Sequence, residues 1–320
     1  MTEVPRISES AARVAERLRR DLGRPLDVDV PLAGFTTYRL GGPAALFVEP
    51  ASLDELEALD RALAADPMPV LVVGRGSNLL VSESGFPGVA VHLKGDFEAI
   101  ELDDESVRAG GAVALPVLAR RAAAAGLAGL EFYVGIPGSV GGAVRMNAGG
   151  HGQDTAAVLA SASSVALGTG QGERSRQARD LAFGYRSSAV EPHDVVTRAV
   201  FTARRDDAAA CEERLAEIVR WRREHQPGGS NAGSVFANPE GDSAGRIIDA
   251  CGLKGFRVGG AVVSRKHANF FQADEAATPS DVWSLVHEVR RRVEEATGVL
   301  LEPELRMVGF GAEHGGGSAG

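Results

Sequence analysis

Apolar residues recur at helical spacing in several stretches of the chain. In residues 9–22, Ala12, Val14, Ala15 and Leu18 share one face and predict a short amphipathic helix. Ser52 with Glu55 three residues on is a capping-box pattern. It opens a helix to about residue 65, with Leu53, Leu56, Leu59 and Leu63 inward. Residues 114–125 predict a helix ended by Gly126, and residues 206–225 a long charged one stopped by Pro227. Asp242 is expected to cap a helix carrying Ile247, Ile248 and Cys251, closed by Gly252. Residues 280–296 place Val282, Leu285, Val286, Val289 and Val293 on one face before Gly298. Short apolar runs at 44–48, 70–73, 79–81, 89–93, 99–102, 107–109, 161–167, 195–203, 261–263, 269–272 and 305–308 read as strands. The order begins as β-α-β and becomes strand-rich, which predicts an α+β fold with mixed sheets.

Residues 135–150 follow neither period. They carry glycine at 135, 138, 141, 142, 149 and 150 and a single charge, Arg145. Glycine serves where something must approach the backbone or φ must be positive. Backbone N–H groups free of side chains suit the oxygens of a diphosphate. Ile136, Pro137, Val140, Val144 and Met146 are interleaved, which predicts an ordered loop packed on a core, since linkers are Gly/Ser-polar. Upstream, the apolar run 70–73 enters Gly74-Arg75-Gly76-Ser77-Asn78 and then Leu79-Leu80-Val81. A tight polar turn at a strand end suits phosphate as well. It matches neither the Gly-x-Gly-x-x-Gly fingerprint nor the Walker pattern, and no helix is expected after it. Together the two loops point to one diphosphate-containing ligand held by both.

At 320 residues the chain implies two or three domains. Its 44% hydrophobic and 24% charged residues place it among ordinary globular proteins, so a packed core is expected. The net charge of −9 argues against a nucleic-acid surface. Cys211 and Cys251 lack ligand-like neighbours and read as buried thiols on helices, in a reducing compartment. No run of 18 apolar residues exists and the N-terminus lacks a signal-peptide core, so no membrane is expected and a cytoplasmic location is. No histidine has metal-ligand spacing with another, so no metal is expected.

Three short stretches carry candidate chemistry. In Phe183-Gly184-Tyr185-Arg186-Ser187-Ser188, Arg186 starts a loop and can fork onto a carboxylate or phosphate. In residues 229–239, two glycines and small polar residues lead into Val235-Phe236, so a tight turn should present Ser234. No Gly-x-Ser-x-Gly elbow surrounds that serine, which disfavours a hydrolase and leaves a proton-donor role open. In Leu301-Glu302-Pro303-Glu304-Leu305-Arg306, Glu302 and Glu304 share a face if the segment is a half-buried strand.

Residues 37–42, 74–80 and 135–142, in that order, resemble the FAD-binding domain of the vanillyl-alcohol-oxidase type. With residues 183–188, 231–239 and 301–306 they resemble the UDP-N-acetylenolpyruvoylglucosamine reductase (UDP-N-acetylmuramate dehydrogenase) family, in its shorter subclass. The resemblance implies a two-lobed FAD-binding domain of mixed sheets and helices plus a C-terminal α+β substrate-binding domain. The expected divisions are an N-terminal helical segment 1–25, FAD-binding subdomains 26–95 and 96–204, a substrate-binding domain 205–310 and a disordered tail 311–320. It implies non-covalent FAD, NADPH as co-substrate and UDP-N-acetylglucosamine enolpyruvate as substrate, in a monomeric enzyme of peptidoglycan synthesis.

By the same resemblance Tyr38, Gly74, Arg75, Gly76, Ser77, Asn78, Leu79, Gly135, Ile136, Pro137, Gly138, Ser139, Gly142, Ala143 and Asn147 hold the cofactor. Ser234 gives a proton to C2, while Arg186 and Glu304 polarise the substrate carboxylate; Asn238 lies near the substrate. Glu304 assists there if it is protonated or bonded to the arginine, and burial would raise its pKa. Two positions depart from the family pattern. His151 stands where many relatives have tyrosine, and His225 where many have a lysine that meets the diphosphate. Histidine could bind phosphate only while protonated. Both are expected at the substrate. The rival readings are a flavin oxidase of the same fold, which often carries a linking histidine missing from 75–78, and a non-catalytic nucleotide-binding module.

Overall fold

The computed structural model describes residues 8–311. They form two compact units. The first contains the residues up to Asp29, Ala45–Arg75 and Pro87–Trp221; the second contains Val30–Ala44, Gly76–Phe86 and the residues from Arg222 on.

The first unit is built on a five-stranded sheet, antiparallel at every pairing. Its order is Glu173–Gln177, Leu159–Ala166, Asp194–Thr202, Ser106–Gly110, Ile100–Leu102. Strands Asp27–Pro31, Pro43–Val48, Phe86–Val91 and Val70–Val72 form a second sheet in that order, the last pair parallel with Val70 opposite Val89. The fold is therefore α+β with mixed sheets, as the order of elements implied.

Helix α1 (Glu9–Leu22) starts at Ser8, whose hydroxyl accepts from the Ala11 N–H, and ends at left-handed Gly23. Its buried face is Ala11, Val14 and Leu18; Ala12, expected inward, is exposed because the stripe runs i, i+3, i+7. Helix α2 (Leu53–Ala65) keeps half of the expected capping box. Ser52 accepts from the Glu55 N–H, but the Glu55 carboxylate takes the Ala51 N–H and pairs with Arg24. Helix α3 (Leu115–Ala124) buries Leu115, Leu118, Ala119 and Ala122.

Part of the glycine stretch expected as loop is helical. Helix α4 (Val140–Met146) is capped by Ser139 and buries Val140, Ala143 and Val144. A Cβ on Gly141 would lie 3.2 Å from the Gly111 carbonyl oxygen. Glycine here allows close packing of a helix, which periodicity does not register. A short α5 (Thr155–Val158) follows, and then the long α6 (Ala208–His225), in which Cys211 and Leu215 are buried.

The second unit carries α7 (Ala244–Ala250) and α8 (Pro279–Thr297) with an antiparallel sheet of Arg257–Val258, Ala261–Val263 and Phe271–Ala273. Ser243, not Asp242, caps α7. Asp242 is drawn away by a two-point ion pair with Arg246, which holds its carboxyl at about 2. Cys251 sits in the turn just after α7. Helix α8 buries the five predicted valines and leucines, with a Thr278–Asp281 capping box at its start and left-handed Gly298 at its end. Leu79–Val81 and Arg306–Val308 pair in parallel, Leu79 opposite Arg306. No helix among the described residues is long and apolar enough to cross a membrane. The tail expected to be disordered lies, beyond Gly311, outside the described residues.

Asp60 on α2 shows how the first unit is secured. At 1% exposure, its carboxylate accepts from the N–H groups of Thr169 (3.0 Å), Gly170 (2.9 Å) and Gly172 (3.4 Å). Asp60→Ala leaves those donors without their charged acceptor. It should cost about 2–3 kcal/mol in urea unfolding; a loss under about 0.5 kcal/mol would show that water replaces the carboxylate.

Candidate active site

Within the first unit, Gly74 meets the second glycine stretch. A Cβ on Gly74 would lie 2.4 Å from the Ser139 hydroxyl oxygen, so only glycine lets the backbone at 74 approach. Ser139 is 3% exposed, and its hydroxyl accepts from the Gly142 N–H at 3.3 Å. Around it, Leu115 N–H donates to the Gly138 carbonyl, Ala143 N–H to the Ser139 carbonyl and Ile136 N–H to the Tyr133 carbonyl. Pro137 and Arg75 are exposed, and Gly135 is half-buried. Gly76 has φ of 59°, and a Cβ there would meet the Phe35 carbonyl oxygen at 2.0 Å. Gly74, Gly138 and Ser139, a side-chain-free backbone beside one hydroxyl, fit a cofactor diphosphate.

Residues 183–188 form a tight turn. Gly184 and Ser187 exchange backbone hydrogen bonds of 3.1 and 3.3 Å, leaving Tyr185 and Arg186 at the tip. Arg186 sits at φ of 52°, a left-handed conformation that costs a side-chain-bearing residue about 1 kcal/mol. Its guanidinium donates to the Gly149 carbonyl at 3.3 Å and lies 5.6 Å from the Tyr185 ring centre. Asn147, 6% exposed, closes α4 in the same left-handed region. Its amide donates to the Gly184 carbonyl (3.0 Å) and to Asp154 (3.1 Å) and accepts from the Ala156 N–H (2.9 Å). Asn147 therefore ties the end of the glycine stretch to the base of the Arg186 turn. Arg145 donates to the Val190 carbonyl, and Ser188 donates to the Arg145 carbonyl. Burial pulls the Arg145 pKa down, partly offset by Glu191 and Asp194. His151, at φ of 56°, stands edge-on to Trp221 with ring centres 5.0 Å apart.

In the second unit Ser234 follows left-handed Gly233, whose N–H donates to the Asn231 side chain at 3.0 Å. This Asx turn is the presentation expected of that serine. Asn231 was not singled out in the sequence; the signal is the Asn-x-Gly spacing. Ser234 is half-buried and bridges Phe270, and Phe236 bridges Pro303. The Glu304 N–H donates to the Val235 carbonyl at 2.8 Å, and the Ala237 N–H to the Glu302 carbonyl at 2.8 Å. Ser234 and Glu304 thus lie on adjacent, bonded backbone segments.

The segment 301–305 is not a strand, because Pro303 and the bonds to 235–237 fix it otherwise. Glu302 is exposed, 3.6 Å from Arg290, while Glu304 is half-buried, so period 2 does not pair them. Asn78 donates from its side chain to the Glu304 carbonyl (2.9 Å), and its backbone carbonyl accepts the Arg306 N–H (3.2 Å), beside half-buried Ser77. Leu79 begins the strand that pairs with Arg306. Tyr38 is 1% exposed within the apolar cluster of Val235 and Phe236, its hydroxyl buried without a hydrogen-bond partner. Burial raises that hydroxyl's pKa well above the usual tyrosine range. Asn238 is exposed and accepts from the Ala244 N–H at 3.1 Å; His225 is the exposed last residue of α6.

A family model described as FAD binding domain matches residues 44–175. The model for the C-terminal domain of UDP-N-acetylenolpyruvoylglucosamine reductase matches residues 225–308. With the glycine cradle, these matches define a flavin-dependent oxidoreductase that binds FAD. UDP-N-acetylenolpyruvoylglucosamine reductase 2 of Symbiobacterium thermophilum is 45% identical over 301 residues, covering 92% of this chain and 97% of its own. The Parvibaculum lavamentivorans enzyme is 42% identical over 310 residues, covering 97% and 99%. The crystal structure of the Thermus caldophilus reductase aligns at a TM-score of 0.77 and 37% identity, covering 88% of this chain and 99% of that one. The chain belongs to the UDP-N-acetylenolpyruvoylglucosamine reductase family.

Gly74→Ala should leave a folded protein that loses FAD, with flavin affinity falling by about 10-fold or more, because the added methyl displaces Ser139. Ser139→Gly in the same chain should restore part of the flavin absorbance after gel filtration. Full flavin retention in Gly74→Ala would show that the close approach at 74 does not shape the cofactor site.

Proposed function

We propose that this chain reduces the enolpyruvyl ether of UDP-N-acetylglucosamine enolpyruvate to UDP-N-acetylmuramate, with NADPH as electron source, in cytoplasmic peptidoglycan synthesis. The observation that carries the proposal is the bonded pair of segments bearing Ser234 and Glu304, in a chain of this family. Bound FAD, once reduced by NADPH, would supply the hydride that C3 of the enolpyruvyl group requires. The two loops at 74–79 and 135–147, with Tyr38, hold it in this reading.

Negative charge then develops at C2 and on its carboxylate. Ser234 breaks its O–H bond and a C–H bond forms at C2; solvent restores the hydroxyl. Arg186 and Glu304 hold the carboxylate, an interaction that gains most as the charge forms. Arg186 is itself left-handed at the tip of its turn, and strain of that kind is kept where surrounding structure over-determines it. His151, Asn238 and His225 contact the remainder of the substrate in this reading, His225 taking the place of a lysine at the diphosphate.

An anaerobic visible spectrum tests it. NADPH should bleach the bound flavin, and the enolpyruvyl ether should restore its colour. Recovery with oxygen alone would favour an oxidase. Ser234→Ala should bleach at the wild-type rate and recover about 10²–10⁴-fold more slowly. Unchanged recovery would remove Ser234 from the mechanism.

A further inference from the structure

Asn269 is 2% exposed and lies between Ala268 (2%) and the buried Phe270 and Phe271. A polar side chain so deep in an apolar run must be hydrogen-bonded. Its amide oxygen accepts from the Phe236 N–H at 2.9 Å, and its amide nitrogen donates to the Phe236 carbonyl at 2.8 Å. Its backbone carbonyl accepts from the Val235 N–H at 2.9 Å. Only the Val235 carbonyl is left, and it takes the Glu304 N–H at 2.8 Å. Every backbone polar group of Val235 and Phe236 is therefore held by Asn269 or by Glu304.

That arrangement leaves the two residues after Ser234 no freedom to shift. On its other side Ser234 is fixed by the Asx turn at Asn231. Glu304 hangs from the Val235 carbonyl, so Asn269 sets both the Ser234 and the Glu304 backbones through the residues it clamps. A carboxamide suits the task because it offers both a donor group and an acceptor, matching the N–H and C=O of a single residue. Aspartate lacks the donor, and leucine would leave both Phe236 groups unmet.

We infer that Asn269 is a positioning residue for proton delivery by Ser234, acting through the Val235–Phe236 backbone it clamps. The inference rests on the reading of Ser234 as proton donor. Asn269 touches neither substrate nor cofactor in this role, so it should govern the second half-reaction and not the first.

The test uses the FAD-loaded full chain and anaerobic stopped-flow absorbance. Asn269→Asp keeps the acceptor for the Phe236 N–H and turns an oxygen toward the Phe236 carbonyl. Bleaching by NADPH should stay within about twofold of wild type. Recovery at saturating enolpyruvyl ether should slow by about 100-fold, the order a misplaced catalytic group costs, with the substrate concentration for half-maximal rate changed by less than about threefold. Placed on Ser234→Ala, the same change should slow recovery by less than about twofold more, because the group it positions is gone.

Recovery at wild-type speed overturns the inference, as does equal slowing of both half-reactions or a full multiplicative loss in the double variant. If Asn269→Asp does not fold, Asn269→Ser leaves room for a water to take the Phe236 groups, and the same outcomes decide. Failure of both variants to fold assigns Asn269 to the core alone and also overturns it. A wild-type protein that bleaches but does not recover with the enolpyruvyl ether fails differently: the parent reading falls, and this one with it.

Discussion

The Glu304 N–H meets the Val235 carbonyl at 2.8 Å, and the site in the second unit is built outward from that bond. A side-chain contact between two distant segments can be lost by one rotamer change. A backbone bond between them cannot, unless the segments separate. Here the parallel pair Leu79–Val81 and Arg306–Val308 sets the register on one side, and the 269–270 segment on the other. Asn78 spans the first junction and Asn269 the second. The proposed proton donor and the proposed carboxylate therefore share one rigid backbone, which is what a reaction timed at C2 and its carboxylate requires.

In the first unit the governing constraint is close approach. Gly110, Gly111, Gly141 and Gly74 all sit where a Cβ would press on another group: the carbonyl oxygen of Phe97, Val196 or Gly111, or the Ser139 hydroxyl. The abundance of glycine is thus a packing requirement over much of this unit. Flexibility is the wrong inference from it. The same closeness draws α4 onto its sheet and brings the backbone at 74 against Ser139, so core packing and the proposed cofactor cradle rest on one device.

Sequence periodicity located the apolar faces of α2 and α8 well, because a buried stripe has only one way to face the core. It failed where a particular side-chain partner or the position of the core decides. Ser243 caps α7 because Arg246 claims Asp242, and Ala12 faces solvent because the core it was assigned to lies one step round the helix. The helical nature of 140–146 was hidden by glycines that packing demands. The carboxylate pairing of Glu302 and Glu304 presumed a strand that Pro303 and the bonds from 235–237 replace. The candidate side chains Arg186, Ser234 and Glu304 were nameable from the sequence. The amides that hold their backbones were not, since asparagine in a turn and asparagine in a clamp look alike.

Those amides have a common logic. Asn78, Asn147, Asn231 and Asn269 each use a side-chain amide to bond main-chain groups near a proposed site residue. Lysine, arginine or aspartate could make some of these bonds, but each brings a charge into a place where charge is meant to change during the reaction. A fixed cation beside Ser234 would hold the serine oxygen's charge before and after transfer alike, and a fixed anion would oppose the carboxylate's own. A neutral amide orders the backbone and leaves the field to the groups that the mechanism uses. Positioning and electrostatics are then carried by different residues, so each can be altered without the other, and combining the two changes in one chain tells a positioning loss from a loss of the group positioned.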